Sequence, residues 1–216
     1  MSADLHFEKT KSPIFTIIKL KFHLFMNKLI TIILIMSFFS TFAQDKPIAL
    51  KVGDNAPNFV GKDHNGKMIS LKELTEKGKV VLMFYRGAWC PYCNKYMSQL
   101  EQALPEFSAK NAKVIAITPE PEESISKAVE KTKSTFSIIY DKDRKIMKDW
   151  KVAYSMSDDM QTKYKGYGLD LEKKQGDWIL PVPATYVIGQ DGKIEFVHFD
   201  ENYQQRADIE NILKIL

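Results

Sequence analysis

The stretch KVVLMFYRGAWCPYCNKYMSQL, residues 79–100, holds both cysteines of the chain, Cys90 and Cys93. Its first part, through Tyr85, is a continuous apolar run, which predicts a central strand buried on both faces of a sheet. Beyond the cysteines, Tyr96, Leu100, Leu104 and Phe107 recur at helical spacing, with a kink predicted at Pro105. Pro91 suits the first position of that helix, where its fixed φ and missing N–H cost nothing. The cysteines therefore sit where a buried strand passes into a helix, at the carboxyl edge of a sheet, where α/β folds carry their chemistry.

Outward from this stretch, strands and helices alternate. FVGKDHNGKMISL (59–71) reads as a β-hairpin, with Asn65-Gly66 supplying the positive φ angles of a type I′ turn. LKELTEKG (71–78) reads as a short helix ending at Gly78 as its C′ glycine. KVIAIT (113–118) and FSIIYD (136–141) are further strands. PEESISKAVEKTK (121–133) is a solvated helix with proline at its start and acids in its first turn. DRKIMKDW (143–150) is another helix. Residues 154–180 form a polar insertion sprinkled with aromatics, with a short helix near Asp158–Tyr164. ATYVIGQDGKIEFVHF (184–199) is a strand, an Asp191-Gly192 turn and a strand, and RADIENILKIL (206–216) closes the chain as a helix. This order predicts an α/β domain with a mixed central sheet flanked by helices.

The 216 residues, 44% hydrophobic and 27% charged, suffice for one compact domain and show no compositional sign of disorder. The start of the chain differs. Met26-Asn27-Lys28 precedes LITIILIMSFF (29–39) and then STFA (40–43), the pattern of a signal peptide with Thr41 at −3 and Ala43 at −1. A bilayer span needs about 20 apolar residues, so a cleaved signal over residues 26–43 is favoured over a stable anchor. Residues 1–25 read as an extended or mis-started N-terminus, because a complete signal begins at Met26, and residues 44–216 read as the mature domain. Residues 1–43 carry five lysines and two acids, which leaves 26 basic against 25 acidic residues in the remainder. No basic block with interleaved aromatics remains there, which argues against a nucleic-acid partner. Export, placed at the bacterial periplasm, implies an oxidising compartment where cysteine pairs oxidise unless actively reduced.

Three readings of the cysteine pair follow. A zinc site needs four ligands, and the mature chain adds only His64 and His198, in no ligand spacing. A structural disulfide across two intervening residues closes almost no loop and so stabilises little. A redox couple fits best. Cys90, at the N-cap or first turn of the helix, meets free N–H groups and a dipole that favour a thiolate by about 0.3–1 kcal/mol, up to about 2 when partly buried. That would bring its pKa from about 8.5 to between about 7 and 8, with Arg86 lowering it further. Cys93, one turn inside, would be shielded and would resolve a mixed disulfide.

From about Val52 to Leu216 the chain resembles thioredoxin-fold redoxins of the AhpC/TSA class, in the peroxiredoxin-like group that carries Cys-X-X-Cys. The resemblance rests on GDNAPNF (53–59), on FYRGAWCPYC (84–93) and on LPVPATYVIGQDGKI (180–194). It implies a thioredoxin fold, with an N-terminal hairpin and an insertion ahead of the strand that begins at Pro183. It also implies a cis bond between Val182 and Pro183, with Pro183 and Thr185 docking the substrate backbone against the cysteines.

Two templates compete over these residues. In the thioredoxin pattern Cys90 attacks and Cys93 resolves, but the buried acid that precedes the motif would fall at Phe84, which is no acid. The peroxiredoxin pattern Pro-x-x-x-Thr-x-x-Cys would place Cys93 at the peroxidatic position, Cys90 in place of Thr and Arg86 in place of Pro. The later arginine of that pattern has no counterpart in PVPAT (181–185). CPYC also occurs in glutaredoxins, whose Gly-Gly after the cis-proline segment is absent here. Trp89 reads as a cover for the site and Tyr92 as a tuning residue. Glu120 and Asp141, at strand ends, read as solvated loop acids, and YKGYG (164–168) as a surface loop.

The sequence is thus read as an exported thiol–disulfide oxidoreductase. Its redox-active disulfide is Cys90–Cys93, and no further cofactor or metal is invoked. Its substrate would be a protein or small-molecule disulfide, and an extracytoplasmic dithiol would recycle it. A thiol peroxidase acting on hydrogen or organic peroxides is the alternative, and a non-catalytic thioredoxin-fold binding module the third reading.

Overall fold

The structure, a computed structural model, describes residues 47–216 together with residues 22 and 25–28, which are helical and exposed. The extended N-terminus and signal peptide expected over residues 1–43 otherwise lie outside the described residues. The chain divides into a unit of residues 1–44 and one of residues 45–216, and the second carries every element below. Among the described residues, no helix is long and apolar enough to cross a membrane.

A five-stranded sheet forms the centre, in the order β5-β4-β3-β8-β9. β3 (Lys79–Phe84), β4 (Ala112–Thr118) and β5 (Ser137–Tyr140) run parallel, while β8 (Ala184–Ile188) lies antiparallel to β3 and β9 (Ile194–Phe199) antiparallel to β8. The apolar run of β3 reflects burial on both sides of the sheet. Val81, Met83 and Tyr85 face a core with Met97, Leu100, Phe107, Ile125 and Ile212. Val80, Leu82 and Phe84 face a second core around Trp150 and Tyr186, where the Trp150 ring centroid lies 5.7 Å from Phe84 and 4.9 Å from Tyr186.

The cysteine stretch leaves β3 and enters α2 (Pro91–Gln102), and the kink expected at Pro105 is a break at Ala103 before α3 (Leu104–Ala109). α1 (Leu71–Thr75) precedes β3. α4 (Glu122–Thr132) follows β4, α5 (Lys145–Asp149) follows β5, and α8 (Ile209–Ile215) closes the chain. The insertion is more ordered than its polar sequence suggests. β6 (Ala153–Ser155) and β7 (Ile179–Pro181) pair antiparallel at its base, with α6 (Asp158–Gly166) and α7 (Leu171–Gln175) between them. Arg144, buried, ties this insertion down through Asp177 and the carbonyls of Asp141, Lys142 and Gln175.

Three local expectations need correction. β1 (Val60–Lys62) and β2 (Met68–Ser70) form the hairpin, but Asn65 does not take a positive φ and only Gly66 is left-handed, at +83°. Asp63 governs this turn instead: its carboxylate accepts from the amides of Asn65 and Lys67, an arrangement that replaces the type I′ geometry. Gly78 is not a left-handed C′ residue either. It is glycine because a Cβ there would stand 2.0 Å from the Asn111 carbonyl oxygen.

The Val182–Pro183 bond is trans, not cis. Trans is the default for X–Pro by about 0.5–1 kcal/mol. Here the preceding residues are already extended, with Pro181 in β7 and the Val182 amide donating to the Val152 carbonyl at 2.8 Å. Pro183 then leads straight into β8, just outside the β3–β8 register that begins at Ala184, so its missing N–H costs no ladder bond. The docking role expected of Pro183 therefore has no cis bond to rest on.

Candidate active site

Cys90 is the N-cap of α2, with φ −90° and ψ 110°, and Pro91 occupies N1. Cys90 Sγ accepts from the Cys93 amide at 3.4 Å, so the first cysteine caps the helix that carries the second. Both are free thiols and both are buried, so Cys90 is no more open to solvent than Cys93. The loop before them, Arg86–Trp89, is pinned by the end of the neighbouring strand. The Ala88 amide donates to Glu120 Oε2 at 2.6 Å, and Asn94 Nδ2 donates to the Ala88 carbonyl at 2.9 Å. Gly87 must be glycine, because a Cβ would lie 2.5 Å from Trp89 Nε1 and 2.6 Å from Glu120 Cδ.

The charge in the pair lies opposite to the sequence expectation. Arg206, in the segment before α8, brings Nη2 within 3.4 Å of Cys93 Sγ, while its Nη1 donates to the carbonyls of Tyr203 and Gln205. Burial pushes the Cys93 thiol up. The hydrogen bond from Cys90, the positive charge of Arg206 and the Arg86 backbone outweigh it and bring Cys93 down to about 6. The Cys90 thiol is pushed up, first by its hydrogen bond to Cys93 and then by burial. The hydrogen bond between the two sulfurs is the larger cause of this asymmetry, and Arg206, 3.4 Å from Cys93 Sγ, adds to it, while Arg86 favours the Cys90 thiolate more weakly.

The other expected site residues divide. Arg86 is buried beside the pair. Its guanidinium lies 4.8 Å from the Trp89 ring centroid, 5.6 Å from that of Tyr164 and 4.6 Å from that of Tyr203, and Nη2 donates to Tyr164 Oη at 2.7 Å. Trp89 meets Tyr164 edge-on at 5.7 Å. Tyr92 is exposed and meets Tyr203 edge-on at 5.8 Å. Thr185, buried in β8, bonds Tyr96 Oη at 3.3 Å, a tie between sheet and helix.

Several functional candidates escaped sequence reasoning. Glu120 is buried, not solvated, and burial holds its carboxyl above the usual range against the lowering effect of the Ala88 amide. Its Oε1 has no hydrogen-bond partner. Asp141 is also buried, capping α5 through the amides of Ile146 and Met147. Tyr164, read as part of a surface loop, packs on Arg86 and Trp89. Only the strand-end position of Glu120 hinted at its place, and nothing in the spacing marked Arg206.

Residues 52–197 match the AhpC/TSA family. The chain belongs to that family. It is 29% identical over 170 residues to the thiol-disulfide oxidoreductase ResA of Halalkalibacterium halodurans, covering 78% of this chain and 80% of that protein. It is 27% identical over 180 residues to the chloroplastic peroxiredoxin Q of Oryza sativa subsp. japonica, covering 82% and 72% respectively. Among solved structures, the peroxidoxin BcpB from Mycobacterium tuberculosis superposes with a TM-score of 0.61 at 20% identity, over 77% of this chain and 96% of that one. The fold is the thioredoxin fold, as the sequence resemblance implied. Members of this AhpC/TSA family thus include relatives named for disulfide exchange and others named as peroxiredoxins.

Proposed function

We propose that this oxidoreductase exchanges dithiol for disulfide through Cys90 and Cys93. The observation that carries the reading is a free thiol pair capping α2, with a guanidinium on one sulfur. In the reductive direction the Cys93 thiolate attacks one sulfur of a substrate disulfide and displaces the other as a thiolate. The Cys90 thiol then attacks Cys93 Sγ, forms the Cys90–Cys93 disulfide and releases the second substrate sulfur. The pair loses two electrons, the substrate gains them, and the Cys90 proton ends on a departing thiolate. Glu120, a buried carboxyl held by the Ala88 amide of the active-site loop and with one unpartnered oxygen, would carry that proton. Relatives named ResA support this reading. An extracytoplasmic dithiol would return the pair to its reduced form. The exported location rests on the signal-like pattern of residues 26–43, and N-terminal sequencing of the native product should find Gln44 first.

A second reading, a thiol peroxidase in which the Cys93 thiolate attacks the peroxide oxygen, is favoured by the same Arg206 contact. Cys90 stands where a peroxidase pattern would place a hydroxyl donor, and its thiol is engaged by Cys93. The two readings separate in one experiment. The reduced protein and its Cys90→Ser and Cys93→Ser variants are mixed with hydrogen peroxide or with a small disulfide, and adducts are located by mass spectrometry. Rapid mixed-disulfide formation on Cys93 with slow peroxide oxidation is expected. Fast sulfenic acid formation at Cys93 with sluggish disulfide exchange would replace the first reading by the second.

A further inference from the structure

Two buried arginines have opposite surroundings. Arg144 spends its donors on Asp177 and three carbonyls. Arg86 is just as buried, at 1% exposure, yet its polar neighbours are the neutral hydroxyls of Tyr164, which accepts from Nη2, and of Tyr154, while Nε and Nη1 are buried without a hydrogen-bond partner. None of the ion pairs among the described residues includes it. Aromatic faces attract a guanidinium but do not neutralise it, and native interiors seldom leave buried donors unused. The missing counter-charge must come from outside the fold or from a sulfur. Of the two sulfurs, Cys93 already has the Arg206 guanidinium at 3.4 Å, and Cys90 is engaged by the Cys93 amide.

The three rings over Arg86 also line a groove, with Arg86 itself beneath them and outside the groove's lining. Trp89, Tyr164 and Tyr203, with Lys163 and Lys174, line a space of about 640 Å³, within the range of small-molecule sites. On the other side of Trp89, Lys131, Lys173 and again Lys174 face a cleft in which Glu123 is paired with Lys127 and Glu120 is held by the Ala88 amide. Lysines outnumber acids along these two clefts, although Lys173 is paired with Asp170.

We propose that this groove is a subsite for a carboxylate carried by a small disulfide substrate. The carboxylate pairs with Arg86 through its unused donors, the rim lysines attract it, and the aromatic walls pack on the chain that joins it to sulfur. Tyr203, which sits in an exposed segment, is the ring that moves aside. This inference rests on the disulfide-exchange reading and names its substrate class.

The test has two arms on the full chain. In the first, the reduced protein meets 3,3′-dithiodipropionate, bis(2-hydroxyethyl) disulfide and cystamine, which are anionic, neutral and cationic disulfides, at low and high salt. The anionic disulfide should react about tenfold faster than the neutral one and the cationic more slowly, with the differences shrinking in salt. The Lys163→Glu/Lys174→Glu double variant and Arg86→Gln should each bring the anionic-to-neutral ratio towards about one. In the second arm, tryptophan fluorescence follows binding of suberate, the sulfur-free analogue of the anionic disulfide, with 1,8-octanediol as the uncharged control. Suberate should bind, octanediol should not, and both variants should weaken suberate. Equal rates for all three disulfides, or no binding of suberate, overturns the subsite. Suberate binding in a protein that reduces none of the disulfides upholds the subsite and removes the disulfide-exchange reading instead.

Discussion

Replacing Arg206 with Met removes the guanidinium that lies 3.4 Å from Cys93 Sγ. A positive charge favours the thiolate, so its loss raises the pKa of Cys93. A hydrogen bond to a charged group contributes about 1.5–3 kcal/mol, and one pKa unit corresponds to about 1.36 kcal/mol. The midpoint should therefore climb from about 6 by about one to two units. At pH 7 the thiolate fraction falls from about 90% to between about 50% and 10%. The more basic thiolate is also a better nucleophile, by about 2.5- to tenfold for a Brønsted slope near 0.4–0.5. The two effects nearly cancel at pH 7, where the rate should change by less than about twofold. At pH 9 the variant should be about three- to tenfold faster than the native protein, and at pH 5 about three- to fourteenfold slower. Single-turnover exchange with bis(2-hydroxyethyl) disulfide from pH 4.5 to 9.5 reads this directly, with Arg206→Lys as the charge-retaining control. A variant profile that still turns near pH 6 would refute the assignment of the thiolate to Arg206.

Other outcomes follow from single contacts. Glu120→Gln keeps an acceptor for the Ala88 amide but cannot carry a proton; resolution of the mixed disulfide should slow about tenfold at pH 7 in stopped-flow traces, since water can substitute only partly for a positioned base, with little change in the denaturation midpoint. Gly78→Ala would press a Cβ to 2.0 Å from the Asn111 carbonyl oxygen, and urea unfolding should show a loss of about 1–3 kcal/mol or more. Pro183→Ala, at a trans bond outside the strand register, should cost only about 0.4–1 kcal/mol through the unfolded chain and keep its exchange rate within a few fold; a loss of two orders of magnitude would restore a docking role to this proline.

Most of the fold was legible in one dimension because its signals are local. The apolar run of β3, the helical spacing after Cys93 and the Pro91 start depend on residues close in sequence, and they place the cysteine pair at a strand–helix junction without reference to the rest of the chain. Local signals failed where a distant backbone decides. Gly78 is required by Asn111 and Gly87 by Glu120 and Trp89, and each reads as a turn or loop glycine until the approaching strand is in place. The Asn65-Gly66 pair was misread for a smaller reason: the Asp63 side chain outcompetes the expected turn geometry.

The candidate site shows the same division more sharply. The sequence alone determined that the chemistry lies in two thiols at the start of a helix, since residue type and spacing define that capacity. Which sulfur bears the charge could only be decided in three dimensions. Coulomb energy depends on distance through space, and Arg206, 113 residues after Cys93 along the chain, is 3.4 Å from its sulfur. Burial of Glu120 and the unpartnered donors of Arg86 are likewise properties of packing, set by β4 and by the insertion folding over the active-site loop. The capacity for redox chemistry is written in neighbouring residues, and its polarity is set by residues that meet only when the sheet closes.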